Sequence, residues 1–311
     1  MSEARETRKA VIVMVLLVIL WGYAWITSKI GLAYASPMDV VGLRLELGVL
    51  TLFIGLIWTG RSLRPRHWQA LLMIGLIQTG AFLLLNTWAL SEGGPGKTSV
   101  LVFTMPFWVL IFAWPMLHER IQGLQWLSVA LAIVGLVFVL EPWQMHTSLF
   151  SKTLAVIAGM CWAIGVVYAK RLHNRVKVEP LAFTFWQMII GLVPVIGCQM
   201  MFDRPPIVWS NTFVAVTMFN GVLATGIGWL AWLYVLHRLP AGTTSLSSLG
   251  IPVIAIISSW IQLGEEPGRS ELLGMLLIGI ALALLSSLSI RRHEEPVPMT
   301  GQELRADGPR K

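Results

Sequence analysis

The sequence predicts an all-α integral membrane protein of ten transmembrane helices, built as two five-helix repeats of opposite orientation. Three observations predict it: an excess of apolar residues, ten apolar runs of spanning length, and a repeat with an odd number of runs per copy. The 311 residues are 56% hydrophobic and 13% charged, with a mean hydropathy of +0.72. A soluble domain is about a quarter charged and must cover its core with polar groups, so this composition excludes one. The net charge of +7 would suggest a nucleic-acid partner in a soluble chain. Here its origin is topological, as shown below, and the expected surroundings are a lipid bilayer with no nucleic acid. Cys161 and Cys198 both fall inside apolar runs, which supports neither a disulfide framework nor metal-ligand spacing. No cofactor or metal is expected.

A helix needs about 20 mostly apolar residues to cross the hydrocarbon core. Breaking the chain at charges, Gly and Pro predicts the runs in order. The first, 10–29, follows Arg5, Arg8 and Lys9 and precedes Ala33-Tyr34-Ala35, which resembles a cleavage site. It is longer than a signal-peptide core and has a partner later in the chain, so it is read as an uncleaved membrane helix. The second, 39–59, alone carries clear charges, Arg44 and Glu46. Arg44 is close enough to Pro37 to snorkel outward and reads as an anchor; Glu46 is the one candidate proton carrier. The third, 68–90, holds Gln78 and Asn86. The fourth, 96–117, holds Ser99, Thr104, Pro106 and Trp108 and ends before Glu119. The fifth, 123–140, aligns Ser128, Ala132 and Gly135 as a helix contact, within one chain or between two.

The sixth run, 153–170, contains Trp162, and the seventh is 181–202. The eighth, 210–236, contains Asn220, Thr225 and Trp229. The ninth, 241–263, contains Thr244, Ser245 and Pro252 and is followed by Glu265; the tenth is 271–290. The tail, 291–311, is rich in Pro, Glu and Gly and is expected to be disordered.

Lys and Arg accumulate on the cytoplasmic side of membrane proteins. With ten spans both termini share a side. That side collects Arg5, Arg8, Lys9, Arg61, Arg64, Arg66, Lys170, Arg171, Arg175, Lys177, Arg291 and Arg292, against Lys29, Lys97, Lys152, Arg204 and Arg269 opposite. The termini are therefore expected in the cytoplasm.

At an offset of 146 residues Gly75 meets Gly221, Thr79-Gly80 meets Thr225-Gly226, Pro106 meets Pro252, Trp114 meets Trp260 and Glu119 meets Glu265. The first spans match at 141, pairing Trp21 with Trp162 and Lys29 with Lys170, and the second near 143, pairing Pro37 with Pro180. The expected units are 1–150 and 151–290. Because each holds five spans, the second enters the membrane in the opposite sense, as in secondary transporters.

Trp21-Gly22, Lys29 and Arg44, then Ser99, Pro106, Glu119, Ser128 and Gly135, resemble an EamA-type unit of the drug/metabolite transporter superfamily. Ser245, Pro252, Glu265, Gly274 and Ala281 resemble its second copy. Two departures are Ala163 after Trp162, in place of Gly, and Gln187 where the first copy has Arg44. The resemblance implies ten helices around a central cavity and export of small metabolites. Its length and Trp richness most resemble bacterial inner-membrane amino-acid exporters, including those for aromatic amino acids.

Candidate substrate-contacting residues follow from polarity and shape. Trp usually prefers the membrane interface, so Trp21 and Trp162 in mid-span suggest rigid cavity walls, with Trp108 and Trp229 behind them. Gln78, Asn86, Ser99, Asn220, Thr225 and Ser245 are polar within spans and should face the interior, either to meet substrate or to bond neighbouring helices. Pro106 and Pro252, at matching mid-span positions, are candidate hinges.

Spans 1, 3, 4, 6, 8 and 9 carry neither the deep cation a phosphorylated cargo needs nor the deep carboxylate a lipophilic cation needs. That favours a neutral or zwitterionic small molecule such as an amino acid, exported by alternating access. Drugs, nucleosides or other metabolites on the same fold are the alternative, and a non-transporting sensor or scaffold is the different-class one. An enzyme is not expected, because the six histidines lie at loops or span ends with no convergent catalytic group. Monomer and homodimer both stay open.

Overall fold

The computed structural model describes residues 2–93, 101–140, 149–264, 266 and 268–294. Regular structure among them is entirely helical. The elements are α1 (Ser2–Gly31), α2 (Pro37–Thr59), α3 (Trp68–Ile74), π1 (Gly75–Ala81), α4 (Phe82–Gly93), α5 (Met105–Leu117) and α6 (Gln125–Leu140). Then come α7 (Leu149–Arg175), α8 (Pro180–Met201), α9 (Asn211–Met218), π2 (Phe219–Ile227), α10 (Gly228–Arg238), α11 (Ala241–Ser247), α12 (Gly250–Leu263) and α13 (Arg269–Glu294). Among the described residues, seven helical stretches are long and apolar enough to cross a membrane, and Met105–Leu117, Gln125–Phe138 and Leu272–Leu284 are shorter apolar helices. The outward faces carry Leu16, Ile57, Ile111, Val193, Met200 and Ile261, all exposed. Water would not tolerate so continuous an apolar surface; a bilayer covers it. The protein is a multi-pass membrane protein.

Helix starts are encoded locally. Pro37 and Pro180 stand in the first turns of α2 and α8, where a missing N–H costs nothing. Just before them, Ser36 Oγ accepts the Asp39 amide at 3.2 Å and Glu179 Oε2 accepts the Ala182 amide at 2.6 Å. At the other end of α2, Gly60 closes the helix at φ 62°, a left-handed conformation that glycine adopts without steric cost.

Four stretches differ from the uninterrupted helices that the apolar runs predict. The third and eighth runs each widen in the middle into a π-helical segment, π1 and π2. The fourth and ninth are each in two pieces, broken at Phe103–Thr104 and at Ser248–Leu249. Pro106 and Pro252 therefore do not kink continuous helices. They sit in the first turn of the second piece, where proline's lost N–H and fixed φ are compatible with the helix.

Several contacts occur in matched pairs. Arg44 Nε donates to Thr225 Oγ1 at 2.6 Å, and Gln187 Nε2 donates to Thr79 Oγ1 at 3.1 Å. A side-chain carbon at Gly48 would fall 2.7 Å from Thr225, and one at Gly191 would fall 2.4 Å from Thr79. Likewise Gly221 lies against Leu47 and Gly75 against Ile190. So π2 is pressed onto α2 as π1 is pressed onto α8. Small residues permit the approach, as is usual between membrane helices.

Ser128 and Ala132 are buried, and Gly135 lies against the Gly274 carbonyl, so this face of α6 is used within the chain, against α13. Helix α13 continues past 290 to Glu294; the tail from 295 lies outside the described residues, as do Ser99 and Glu265.

Candidate functional site: an aromatic cavity with one cation

A cavity with an empty volume of about 1010 Å³, its open mouth included, runs through one half of the bundle. It extends from Trp21 and Trp162, midway along α1 and α7, to Leu32 and Pro37 at the α1–α2 connection. Its walls are Trp25, Val41, Phe82, Leu83, Phe103, Met105, Trp229 and Ile251, with Ser28, Arg44 and Asn86 as the polar groups. Met105 and Ile251 begin the second pieces of the two broken spans, so both interruptions meet at the cavity.

The aromatic floor is built around Trp162, which is 3% exposed. Its ring centroid lies 5.9 Å from Trp21, 4.9 Å from Phe82, 5.2 Å from Trp229 and 5.4 Å from Trp232. Edge-to-face contacts with Trp21 and Trp229, and tilted ones with Phe82 and Trp232, hold the ring rigidly. Trp21 is fixed further, because its Nε1 donates to the Ala224 carbonyl of π2 at 2.8 Å. A π-helical turn displaces carbonyls from the regular ladder, and this one is met by an indole.

Beyond the floor, helix ends are tied together by polar contacts. Lys170 Nζ donates to the Leu236 and Leu239 carbonyls at 2.7 and 2.8 Å, closing the C-terminus of α10. The Glu119 carboxylate accepts the Ala241 and Gly242 amides at 3.1 and 3.2 Å, at the N-terminus of α11. The imidazoles of His173 and His237 stack at 3.6 Å, and Arg238 reaches Glu6 at 3.4 Å. One side thus carries the aromatic cavity, and the other is tied together by these polar contacts, beside an apolar hollow lined by Met14, Val18, Leu239, Thr243 and Gly250.

Of the residues singled out from sequence, Trp21, Asn86, Trp162 and Trp229 are brought together on the cavity wall. Gln78 is not in the lining. It is 2% exposed, packed against Gly165 and bonded by Gln187 at 3.4 Å. Asn220 is likewise occupied, donating to Thr27 Oγ1 and the Val216 carbonyl, both at 2.9 Å. Thr225 serves Arg44, Trp108 stacks on Phe112, and Ser245 is buried in α11; none of the three is in the lining. Glu46 lies on the exposed face of α2, away from the cavity.

Arg44 is the residue that sequence reasoning placed elsewhere. Snorkelling toward the helix end was the expected behaviour, but the guanidinium turns inward, onto Thr225 and into the cavity. The signal available in the sequence was the Thr79/Thr225 match, which marks the small-residue face against which α2 packs.

The profile of the EamA-like transporter family matches the chain twice, over residues 8–141 and 149–287. Among relatives, "Uncharacterized transporter YoaV" of Bacillus subtilis is 26% identical, covering 87% of this chain and 94% of its own. A "Probable amino-acid metabolite efflux pump" of Escherichia coli is 24% identical over 88% and 93% of the two chains. A "Probable terminal-alkyne amino-acid exporter" of Streptantibioticus cattleyicolor is 25% identical over 92% and 96%. A crystal structure of a protein 16% identical in sequence superposes with a TM-score of 0.79, covering 93% of this chain and 99% of the other, which establishes the shared fold. The family and these relatives are transporters rather than enzymes. A multi-pass helical protein matched twice over nearly its whole length, this chain belongs to the EamA-like transporter family.

Proposed function

We propose that the protein exports amino acids or related small neutral or zwitterionic metabolites, by alternating access through the aromatic cavity. The observation that carries this reading is an aromatic cavity that opens toward one side of the bundle, while polar contacts tie the helix ends on the other. The reading takes the chain as ten crossings in two inverted five-helix units, 1–150 and 151–290. Supporting the inversion are the paired contacts Arg44–Thr225 and Gln187–Thr79, and the breaks before Pro106 and Pro252. Interrupted helices at corresponding positions of two halves are the usual mark of a carrier's binding site. Exchanging the conformations of the halves would open the opposite side and close the cavity.

The distribution of Lys and Arg supports both termini in the cytoplasm, and the named bacterial exporters among the relatives support a bacterial inner membrane. The test is uptake of labelled aromatic, aliphatic and charged amino acids into liposomes holding the purified protein, with and without a pH gradient. Saturable uptake above empty liposomes is expected for the aromatic and aliphatic members. A flat panel with saturable nucleoside or drug uptake would replace the cargo; no saturable uptake of any solute would favour a scaffold.

A further inference from the structure

Among the described residues, the cavity wall contains a cation and no anion. Arg44 is the one charged residue in the lining, and among the described residues no carboxylate faces it. Its Nε is held at 2.6 Å by Thr225 Oγ1, which fixes the plane of the guanidinium and leaves the two terminal nitrogens for a ligand. That fork matches the two oxygens of a carboxylate. A buried or half-buried guanidinium without a counterion is costly, and an anion entering the cavity removes the cost. With one cation present, charge balance favours a monoanion over a phosphate dianion.

The rest of the wall reads the remainder of the molecule. Trp21, Trp25, Phe82, Trp162 and Trp229 suit an apolar or aromatic body. Opposite charge for an ammonium group is missing from the described residues of the wall. The nearest provision is the Asn86 side-chain oxygen, buried in the cavity wall with no hydrogen-bond partner among the described residues.

We infer that Arg44, positioned by Thr225, is a carboxylate-reading site. The cargo is then an apolar or aromatic carboxylate in which the amine is tolerated but not required. This rests on the export reading above for its physiological meaning, but its test does not.

The experiment compares three probes on the purified full chain in detergent, reading the thermal unfolding midpoint: L-phenylalanine, 3-phenylpropionate (no amine) and phenethylamine (no carboxylate). The two carboxylates are expected to raise the midpoint and phenethylamine to leave it unchanged. Arg44→Gln is expected to weaken the carboxylates about 10- to 100-fold, the range for losing charge-assisted hydrogen bonds, while Arg44→Lys retains part of the affinity. Should Arg44→Gln not fold, the wild-type probe comparison still decides. Thr225→Val then adds a variant that keeps the charge and is expected to weaken binding several-fold with the carboxylate preference retained. Equal shifts from phenethylamine and 3-phenylpropionate, or unchanged affinity in a folded Arg44→Gln, would overturn the assignment. In liposomes, carboxylate-dependent binding without transport would sink the export reading and leave the site. Undiminished phenylalanine uptake by Arg44→Gln would do the reverse.

Discussion

At Trp162 four other aromatic rings converge, and the same side chain forms part of the cavity floor. Trp162→Ala removes a wall and several ring contacts together. With about 0.5–1.5 kcal/mol per aromatic pair, KM is expected to rise about 2- to 10-fold in liposome uptake, with folded yield measured by size exclusion reporting any structural cost. Gln78→Ala is the contrasting case. Gln78 contacts Gly165 and Gln187 and not the cavity, so this change is expected to lower the unfolding midpoint and leave KM near wild type. The two residues look alike in sequence, each being out of place in mid-span. What separates them is which neighbour each meets, and hydrophobic pattern cannot supply that. Trp21, Trp162, Trp229 and Asn86 were legible because a large ring or an amide in mid-membrane must face the interior. Arg44 was misjudged because a long cation near a helix start has two solutions, outward to water or inward to a partner, and the run itself does not say which.

At the scale of elements, sequence located the apolar helices but not their interruptions. The π segments leave no periodic signature, because one extra residue per turn in a uniformly apolar run changes nothing in composition. The proline positions were legible and their consequence was not. A proline in mid-run looks like a kink, whereas here the helix stops and restarts just ahead of it. The short helix α11 depends on Glu119 in the same way that a helix depends on its own N-cap, although the carboxylate comes from another span. Glu119→Ala is expected to cost about 1 kcal/mol locally. Hydrogen exchange over 240–247 should then run about five-fold faster; unchanged exchange would mean that the carboxylate merely rests there. Lys170→Met should loosen the same side by freeing the Leu236 and Leu239 carbonyls.

For the whole molecule, the apolar excess, the orientation bias and the repeat were all readable, since each is summed over many residues. The conformation was not, because both faces of a carrier are written in one sequence. Ser28 lines the cavity, and Ala169, its counterpart at the 141-residue offset, is 4% exposed on the opposite side. With Cys161 and Cys198 replaced, Ser28→Cys should react readily with a water-soluble maleimide and Ala169→Cys slowly. Conditions that turn the carrier over should invert the ratio. Equal reactivity of the two would contradict the one-sided cavity.

The inequality between Arg44 and Gln187 bears on the transport cycle itself. On the proposed alternating-access cycle, closing the cavity side cuts Arg44 off from water. An empty carrier then encloses a guanidinium without a counterion, while a loaded one encloses it paired with the cargo carboxylate. Closure is therefore costly without cargo and cheap with it. On that cycle the carrier is expected to return faster when something rides back, as an exchanger does. Unlabelled phenylalanine trapped inside liposomes should accelerate entry of the labelled form, and Arg44→Gln should lose that counterflow.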